Sequence, residues 1–401
     1  MSRSKYHCIG RGGCGSVWVV TEPTPTAIIL LSNPRDLNTS GITFPSFTLP
    51  KNHVLKREDM DEARSIANDM AMHRRLLDST NNTKLPFLVP KSYRVLEPDD
   101  AIQSHLEFIP GERGRVKKDG EEELRACRTY CQERIPPLPK PVREALIDRY
   151  CPESRTESTR TSRADEDCLV RVYCGRRRTA EERARQKMFF TLRNYGATID
   201  QLEELGIDID GVVEVLAKAL ATCFWTAGID ANDSEFVFGL PPLSSSDKLG
   251  IEARNQSNET QRGPDARMAG AKVFGFLAAE VMLWMLDFDC ARYMPTNEQG
   301  VQQALDAFWR NDPYFPRPWT NNYTNTDRRS SELFRGKFLE ESEKILRPKE
   351  TVRDEWVDFA RLWVDKIEEE GWRRAREGAR NGEMASAGRW AERETAEQRA
   401  G

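Results

Sequence analysis

At 401 residues the chain is long enough for two well-filled cores, and 38% hydrophobic against 31% charged residues leaves length over for surface loops or a tail. Its 60 basic and 64 acidic side chains nearly cancel to −4, which excludes a global electrostatic pull toward nucleic acid or anionic membrane. The opening MSRSKYHCIG lacks the apolar centre of a secretory signal, and the longest apolar stretch, near Val273–Phe288, is broken by Glu280 and too short to span a bilayer.

The expectation is therefore an intracellular protein, cytoplasmic or nuclear, with its nine cysteines as free thiols. No CxxC pair occurs, and His7, His53, His73 and His105 are scattered, so no zinc site is expected.

In chain order, Tyr6–Ile9 and Ser16–Val20 read as strands flanking a glycine turn. Residues 21–52 are rich in Pro, Thr, Ser and Asn and read as an inserted loop. His53–Lys56 is a short strand. Ile66, Met70, His73 and Leu77 share one helical face, predicting a helix over Asp59–Leu77. Phe87–Leu96 reads as a strand, Arg113–Glu123 as a charged loop, and Tyr130–Pro139 as a strand entering a proline-stiffened connector. Glu153–Asp167 is polar and expected to be mobile, and Cys168–Cys174 is a strand candidate.

The clearest helix is Gly211–Trp225, whose apolar residues from Val212 to Phe224 form one face without a gap. Residues 240–270 read as a second inserted loop and Val281–Phe288 as a hydrophobic strand. Helices are predicted at Val301–Trp309, Leu333–Ile345 and Thr351–Glu370. From about Arg373 the chain loses its apolar stripe and reads as a charged, solvated tail.

Four motifs carry chemistry. Gly10-Arg11-Gly12-Gly13-Cys14-Gly15-Ser16-Val17 fits G-x-G-x-x-G-x-V, in which glycines bring backbone N–H groups close to phosphate oxygens. The pattern is weak alone, but a strand follows it rather than the helix a dinucleotide fold requires. Lys56 ends the next strand, where it can hold phosphates and pair with a carboxylate of the following helix, Asp69 or Glu62. Asp230 to Glu235 follows the apolar helix and runs into a strand, which resembles the kinase catalytic loop D-x-x-x-x-N. That resemblance implies that Asp230 would deprotonate a hydroxyl and that Glu235, in the Asn place, would hold a metal ion. Asp287-Phe288-Asp289 ends the hydrophobic strand, and its carboxylates are candidate magnesium ligands.

In this order the motifs resemble the protein-kinase-like superfamily. The chain more closely resembles a fungal family of kinase-like proteins of unknown function, some of them labelled zinc-finger proteins. Shared with that family are the ERIPPLP run (Glu133–Pro139), CLVRVY (Cys168–Tyr173), FTLRN (Phe190–Asn194), the loop from Asp230 to Gly239, and DPYFPRP (Asp312–Pro318). The resemblance extends over most of Tyr6 to Ile345. It implies an α+β, two-lobed fold: an N-lobe over 1–135 with a small antiparallel sheet, a mainly helical C-lobe over 136–372, and a tail over 373–401.

It also implies ATP and magnesium as ligands. Gly10, Gly12, Gly15, Val17, Lys56 and Asp69 would face the nucleotide, Glu235, Asp287 and Asp289 the metal, and Asp230 with Lys56 the chemistry. Gly228 and Ile229 replace the usual His-Arg, Asn232 replaces a lysine, D-F-D replaces D-F-G, and no A-P-E anchor follows. Those departures point away from protein substrates and toward a phosphotransferase for a small or unusual hydroxyl. The alternative is an inactive pseudokinase-like binding or scaffold protein with a small-molecule or protein partner. The basic run Arg176–Arg178 is diluted by Glu181 and Glu182, so nucleic acid is not an expected partner.

Overall fold

The computed structural model describes residues 4–12, 15–20, 52–59, 65–100, 102–103, 106–109, 126–184, 190–242, 281–319, 323–347 and 355–398. Apart from Asn52 and residues 240–242, both segments read as insertions lie outside these residues, as do the charged loop 113–123, Gly13, Cys14 and Glu62. The described chain is a mixture of helices and two sheets.

The first sheet comprises β1 (Ser4–Arg11), β2 (Ser16–Val20), β3 (His53–Arg57), β4 (Ser92–Leu96), β5 (Leu106–Ile109) and β6 (Thr129–Glu133). Its order is β4-β6-β3-β2-β1-β5, antiparallel except where β5 joins the edge parallel to β1. Alternation sends successive side chains to opposite faces. Trp18, Leu55 and Cys131 lie in register and pack into one core with Tyr6, Val20, Leu96 and Leu106. The adjacent row, Gly10, Val17, Lys56, Tyr130 and Val95, faces the other way. There Tyr130 and Val95 pack against Ile66 and Met70 of α1 (Ile66–Ser79).

That helix begins later than its sequence predicts. Ser65 caps it by accepting from Ala67 N (3.2 Å), while Asp59 stays in the strand-end loop, where its carboxylate takes the N–H of Ser16 (2.9 Å).

The second sheet, ordered β10-β9-β7-β8, contains β7 (Val170–Tyr173), β8 (Tyr195–Thr198), β9 (Glu235–Gly239) and β10 (Met282–Leu286). The stretch expected as one strand over 87–96 is divided between the sheets. Leu88 exchanges backbone hydrogen bonds with Leu283 and Met285 beside β10, and only Ser92–Leu96 pairs in the first sheet. The connector after β6 is anchored to the second sheet as Leu240 N donates to Pro136 O (2.9 Å) and Leu138 N to Cys168 O (2.9 Å).

Around this sheet lie α2 (Lys140–Tyr150), α3 (Glu153–Arg160), α4 (Ala180–Ala184), α5 (Ile199–Glu204), α6 (Ile209–Thr222), α7 (Glu298–Arg310), α8 (Asn325–Leu346) and α9 (Glu355–Gln398). The segment expected to be mobile, 153–167, instead forms α3 and a short 3-10 turn. Only Thr159 of α3 is buried, so no apolar stripe announces the helix. Just beyond it the buried carboxylate of Asp165 accepts from Leu192 N (2.6 Å) and Thr191 Oγ1 (2.7 Å). The tail segment is helical too, with α9 continuing to Gln398. Glu370 pairs with Arg373 and Arg374 at spacings of three and four, support that needs no buried face.

The largest core surrounds α6, whose Asp208 cap accepts from Gly211 N (3.1 Å). A π-helical turn, Cys223–Ala227, extends it, and Gly228 ends that turn in the left-handed region (φ 65°), turning the chain into Ile229 and Asp230. Phe224 meets Trp363 of α9 edge-on at 5.1 Å, and Phe338 of α8 lies 4.5 Å from the same indole. Trp363→Ala is expected to cost about 3–5 kcal/mol, because α6, α8 and α9 would all border the cavity it leaves. Urea unfolding measures the loss, and a change below about 1 kcal/mol would contradict this packing.

Candidate functional site

All five side chains of β3 are buried, so a lysine there must bring its counter-charges with it. Lys56 Nζ donates to Asp69 Oδ2 of α1 (2.7 Å) and to Asp287 Oδ1 just beyond β10 (2.5 Å). The other oxygen of Asp69 accepts the backbone N–H of Phe288 (3.0 Å). Of the two helix acids the sequence offers, Asp69 is thus the one seen on Lys56.

The same helix clasps the chain beyond Asp287. Asn68 Nδ2 donates to the carbonyls of Asp289 (2.8 Å) and Ala291 (3.0 Å). His73 stacks on Phe288 with ring centroids 5.0 Å apart. Its Nε2 lies 2.7 Å from Pro90 O, which can only accept, so Nε2 carries the proton and Nδ1 receives the Tyr130 hydroxyl (2.8 Å). Burial holds the His73 pKa below its ordinary value of 6.5, so the ring stays neutral at neutral pH.

The loop after α6 is strapped from several sides. Asp230 Oδ1 accepts from Asn232 N (3.0 Å) and Arg292 N (2.9 Å), and Oδ2 accepts from Gln303 Nε2 of α7 (2.8 Å). Asn311 receives Asp233 N and donates to Ala231 O (3.1 Å), and Asn232 Nδ2 donates to Cys290 O (3.1 Å). Five non-glycine residues have positive φ among the described residues. Three of them, Ala231 (51°), Asp233 (58°) and Asp287 (62°), fall in these two loops, a concentration of backbone strain typical of functional sites. An open cavity of about 250 Å³ lies against Asp230, Asn232 and Arg292.

Glu235 pairs opposite Leu286 in the β9–β10 register, which sets it beside Asp287. Both of its oxygens are engaged by the Arg171 guanidinium, through Nη2 and through Nε (3.1 Å). Burial pushes the Glu235 carboxyl up to about 7, with Asp287 adding to the rise against the opposing pull of Arg171. Glu235, the residue expected from the sequence as a metal ligand, thus faces Arg171 through both oxygens. Asp287, a quarter exposed at its side chain, can present its carboxylate to a hard cation.

In the glycine turn, Gly12 N donates to Gly15 O (2.8 Å). Gly15 is required by packing, because a Cβ there would sit 1.7 Å from Arg57 O, whereas Gly12 has nothing within 4 Å. Gly10 and Val17 share the row and face of Lys56. The fold thus gathers Gly10, Val17, Lys56, Asp69, Glu235 and Asp287, and joins Asp230 to them through the 287–292 segment.

A family model for a domain of unknown function, described as a zinc finger protein, matches residues 283–350. No curated protein and no solved structure matches the chain. The matched stretch holds Asp287, Asp289, Arg292 and Gln303, but not Lys56, Asp69 or Asp230.

The donors that come together among the described residues do not fit a structural zinc site. Among the described residues one group of three metal-binding side chains comes together, Asp233, Asp289 and Cys290, with ligand atoms within 4.8 Å of one another. One thiol and two carboxylates lack the four Cys or His ligands of such sites, and this set is mostly hard oxygen.

Sequence reading passed over Arg171, Asn68 and Gln303. Arg171 left a trace, a charge inside the apolar run Cys168–Tyr173, where its neighbours Val170 and Val172 are buried on the opposite face. Asn68 and Gln303 left none, since an amide one residue from Asp69 or on a helix surface is commonplace.

A base held neutral by burial costs stability as pH falls, because only the unfolded chain protonates freely below pH 6.5. His73 is expected to steepen the loss of stability below that value by at most about 1.4 kcal/mol per pH unit. Urea midpoints at pH 7.5 and 5.5 should differ less in His73→Gln than in the wild type. Equal differences would show that the ring is not buried neutral.

Proposed function

We propose that the chain is a two-lobed, kinase-like protein that binds Mg·ATP and transfers its terminal phosphoryl group to a small hydroxyl compound. The observation that carries this reading is Lys56 Nζ bridging Asp69 on α1 and Asp287 after β10, on the sheet face that also presents Val17. A lysine between a helix acid and a post-strand acid is the arrangement that orients nucleotide phosphates and metal.

In this reading the backbone around Gly10–Gly15 faces the phosphates, Val17 covers the apolar base, and Asp287 holds magnesium. The metal, when bound, supplies charge neutralisation to the phosphates. Asp230 is the proton acceptor. Its Oδ1 is filled by two backbone N–H groups and its Oδ2 by one amide, which leaves acceptor capacity on Oδ2 for a substrate hydroxyl.

One observation favours a second reading, a pseudokinase-like protein that binds nucleotide without turning it over. Arg171 occupies both oxygens of Glu235, which reduces the carboxylates available to metal.

The test is thermal unfolding with and without Mg·ATP, followed by single-turnover hydrolysis. At a hundredfold excess over Kd the ligand should add about 2.7 kcal/mol of stability, lost in Asp287→Asn. Lys56→Ala is the poorer probe, since stranding the buried Asp69 carboxylate would itself cost about 3–5 kcal/mol. Asp230→Asn should retain the shift and lose about 10²–10⁴-fold in turnover. A wild-type shift with no turnover supports the second reading; no shift at all defeats both.

A further inference from the structure

The cavity beside Asp230 has a chemistry of its own. One wall is α7, where Gln299, Gln303, Asp306 and Arg310 recur at intervals of four, three and four and so form one stripe along the helix. Val301, Ala304, Leu305 and Phe308 bury the other face. The opposite wall is the strained loop at Asp230 and Asn232 together with Arg292.

A count of hydrogen-bonding capacity shows what this cavity lacks. Asp230 already receives three donors, and Asp306 receives Gln302 Nε2 (2.9 Å). Gln303 spends its amide N–H groups on Asp230 and on Tyr293 O (2.9 Å). The guanidinium groups of Arg292 and Arg310 have no carboxylate partner among the described residues. Asn232, buried at 6% exposure, leaves its Oδ1 without a donor. Two exposed guanidinium forks, without a carboxylate of the described chain, can take an anion, and one buried carbonyl lacks a donor.

We infer that this cavity is the acceptor pocket and that it takes a small hydroxylated anion, with its carboxylate or phosphate on Arg292 and Arg310 and a hydroxyl toward Asn232 and Asp230. The inference rests on the reading of Asp230 as proton acceptor. At about 250 Å³ the cavity lies below the usual range for drug-sized ligands, about 300–1,000 Å³, which favours a compact molecule. An amine substrate fits less well, because the two guanidiniums repel its positive charge.

The probes are 3-phosphoglycerate and gluconate as hydroxylated anions, glycerol as the neutral control, spermidine as the cationic one, and an acidic serine-containing peptide. Titration calorimetry on the full chain at low salt should show saturable binding of the two anions, with glycerol and spermidine inert. Arg292→Gln and Arg310→Gln, both at exposed side chains, should each weaken anion binding about tenfold while the Mg·ATP thermal shift persists. Unchanged affinity in both variants, a preference for spermidine, or no saturable anion binding would overturn the assignment. Binding confined to the acidic peptide would overturn it as well, giving the pocket to a protein segment. Anion binding without any Mg·ATP shift would sink both nucleotide readings and the acceptor role with them, and leave only an anion-binding pocket.

Discussion

A lysine on a wholly buried strand is the constraint from which the rest of this site follows. Lys56 cannot be solvated by water at its position, so its charge has to be met by carboxylates arriving from elsewhere in the chain. Asp69 comes from α1 and Asp287 from the end of β10, so a single ammonium ties the first sheet to a helix and to the second sheet. Removing the lysine would leave the Asp69 carboxylate uncompensated in a place built to exclude water, which is far costlier than losing a surface pair. Asp287 meets the lysine from a left-handed backbone (φ 62°), and that strain is held by Asp69 on the next N–H and by Asn68 beyond it.

The charges around this node do not balance. Against Lys56 and Arg171 stand Asp69, Asp287 and Glu235; the Glu235 carboxyl is raised first by its burial, and Asp287 adds to the rise. Arg171 lowers the repulsion by taking Glu235 through two bonds, a fork that lysine could not reproduce. It also contacts Asp312 at 3.8 Å, while Tyr173 donates to that same carboxylate at 2.6 Å. The DPYFPRP segment thereby reaches the site through charge, which explains why a loop after α7 belongs to the same constellation as the loop after α6. In the proposed reading a cation at Asp287 would offset part of this negative charge.

How much of this was legible in the sequence depends on whether periodicity or partnership carried the signal. The strands at Tyr6, Ser16, His53 and Tyr130, and the apolar helix ending at Trp225, follow from alternation and spacing, and the structure has them within a few residues. α3 escaped because only one of its side chains is buried, and the helical continuation past Glu370 escaped because ion pairs at i, i+3 and i+4 support it in place of an apolar face. Lys56, Asp69, Asp230 and Asp287 could be nominated because they follow the glycine turn in a definite order with suitable strands and helices between them. The choice of Asp69, and the pairing of Glu235 with Arg171, required knowing which strands are neighbours. Arg171 stands on β7, 64 positions before its partner, and no local pattern joins them.

The amide side chains around the site share a property that explains their use. Asn68, Asn232, Gln303 and Asn311 each donate an amide to a backbone carbonyl or to Asp230, and each secures one of the two strained loops. Amides can hold a backbone without adding charge, so the loops are fixed while the electrostatics stay with Lys56, Arg171 and the carboxylates. Lysine or arginine in the same places would anchor the carbonyls equally well, but would neutralise the negative surplus at Asp287 and Asp230. A site that has to keep carboxylates ionised and available therefore favours neutral straps, and a search for charged side chains alone passes over them.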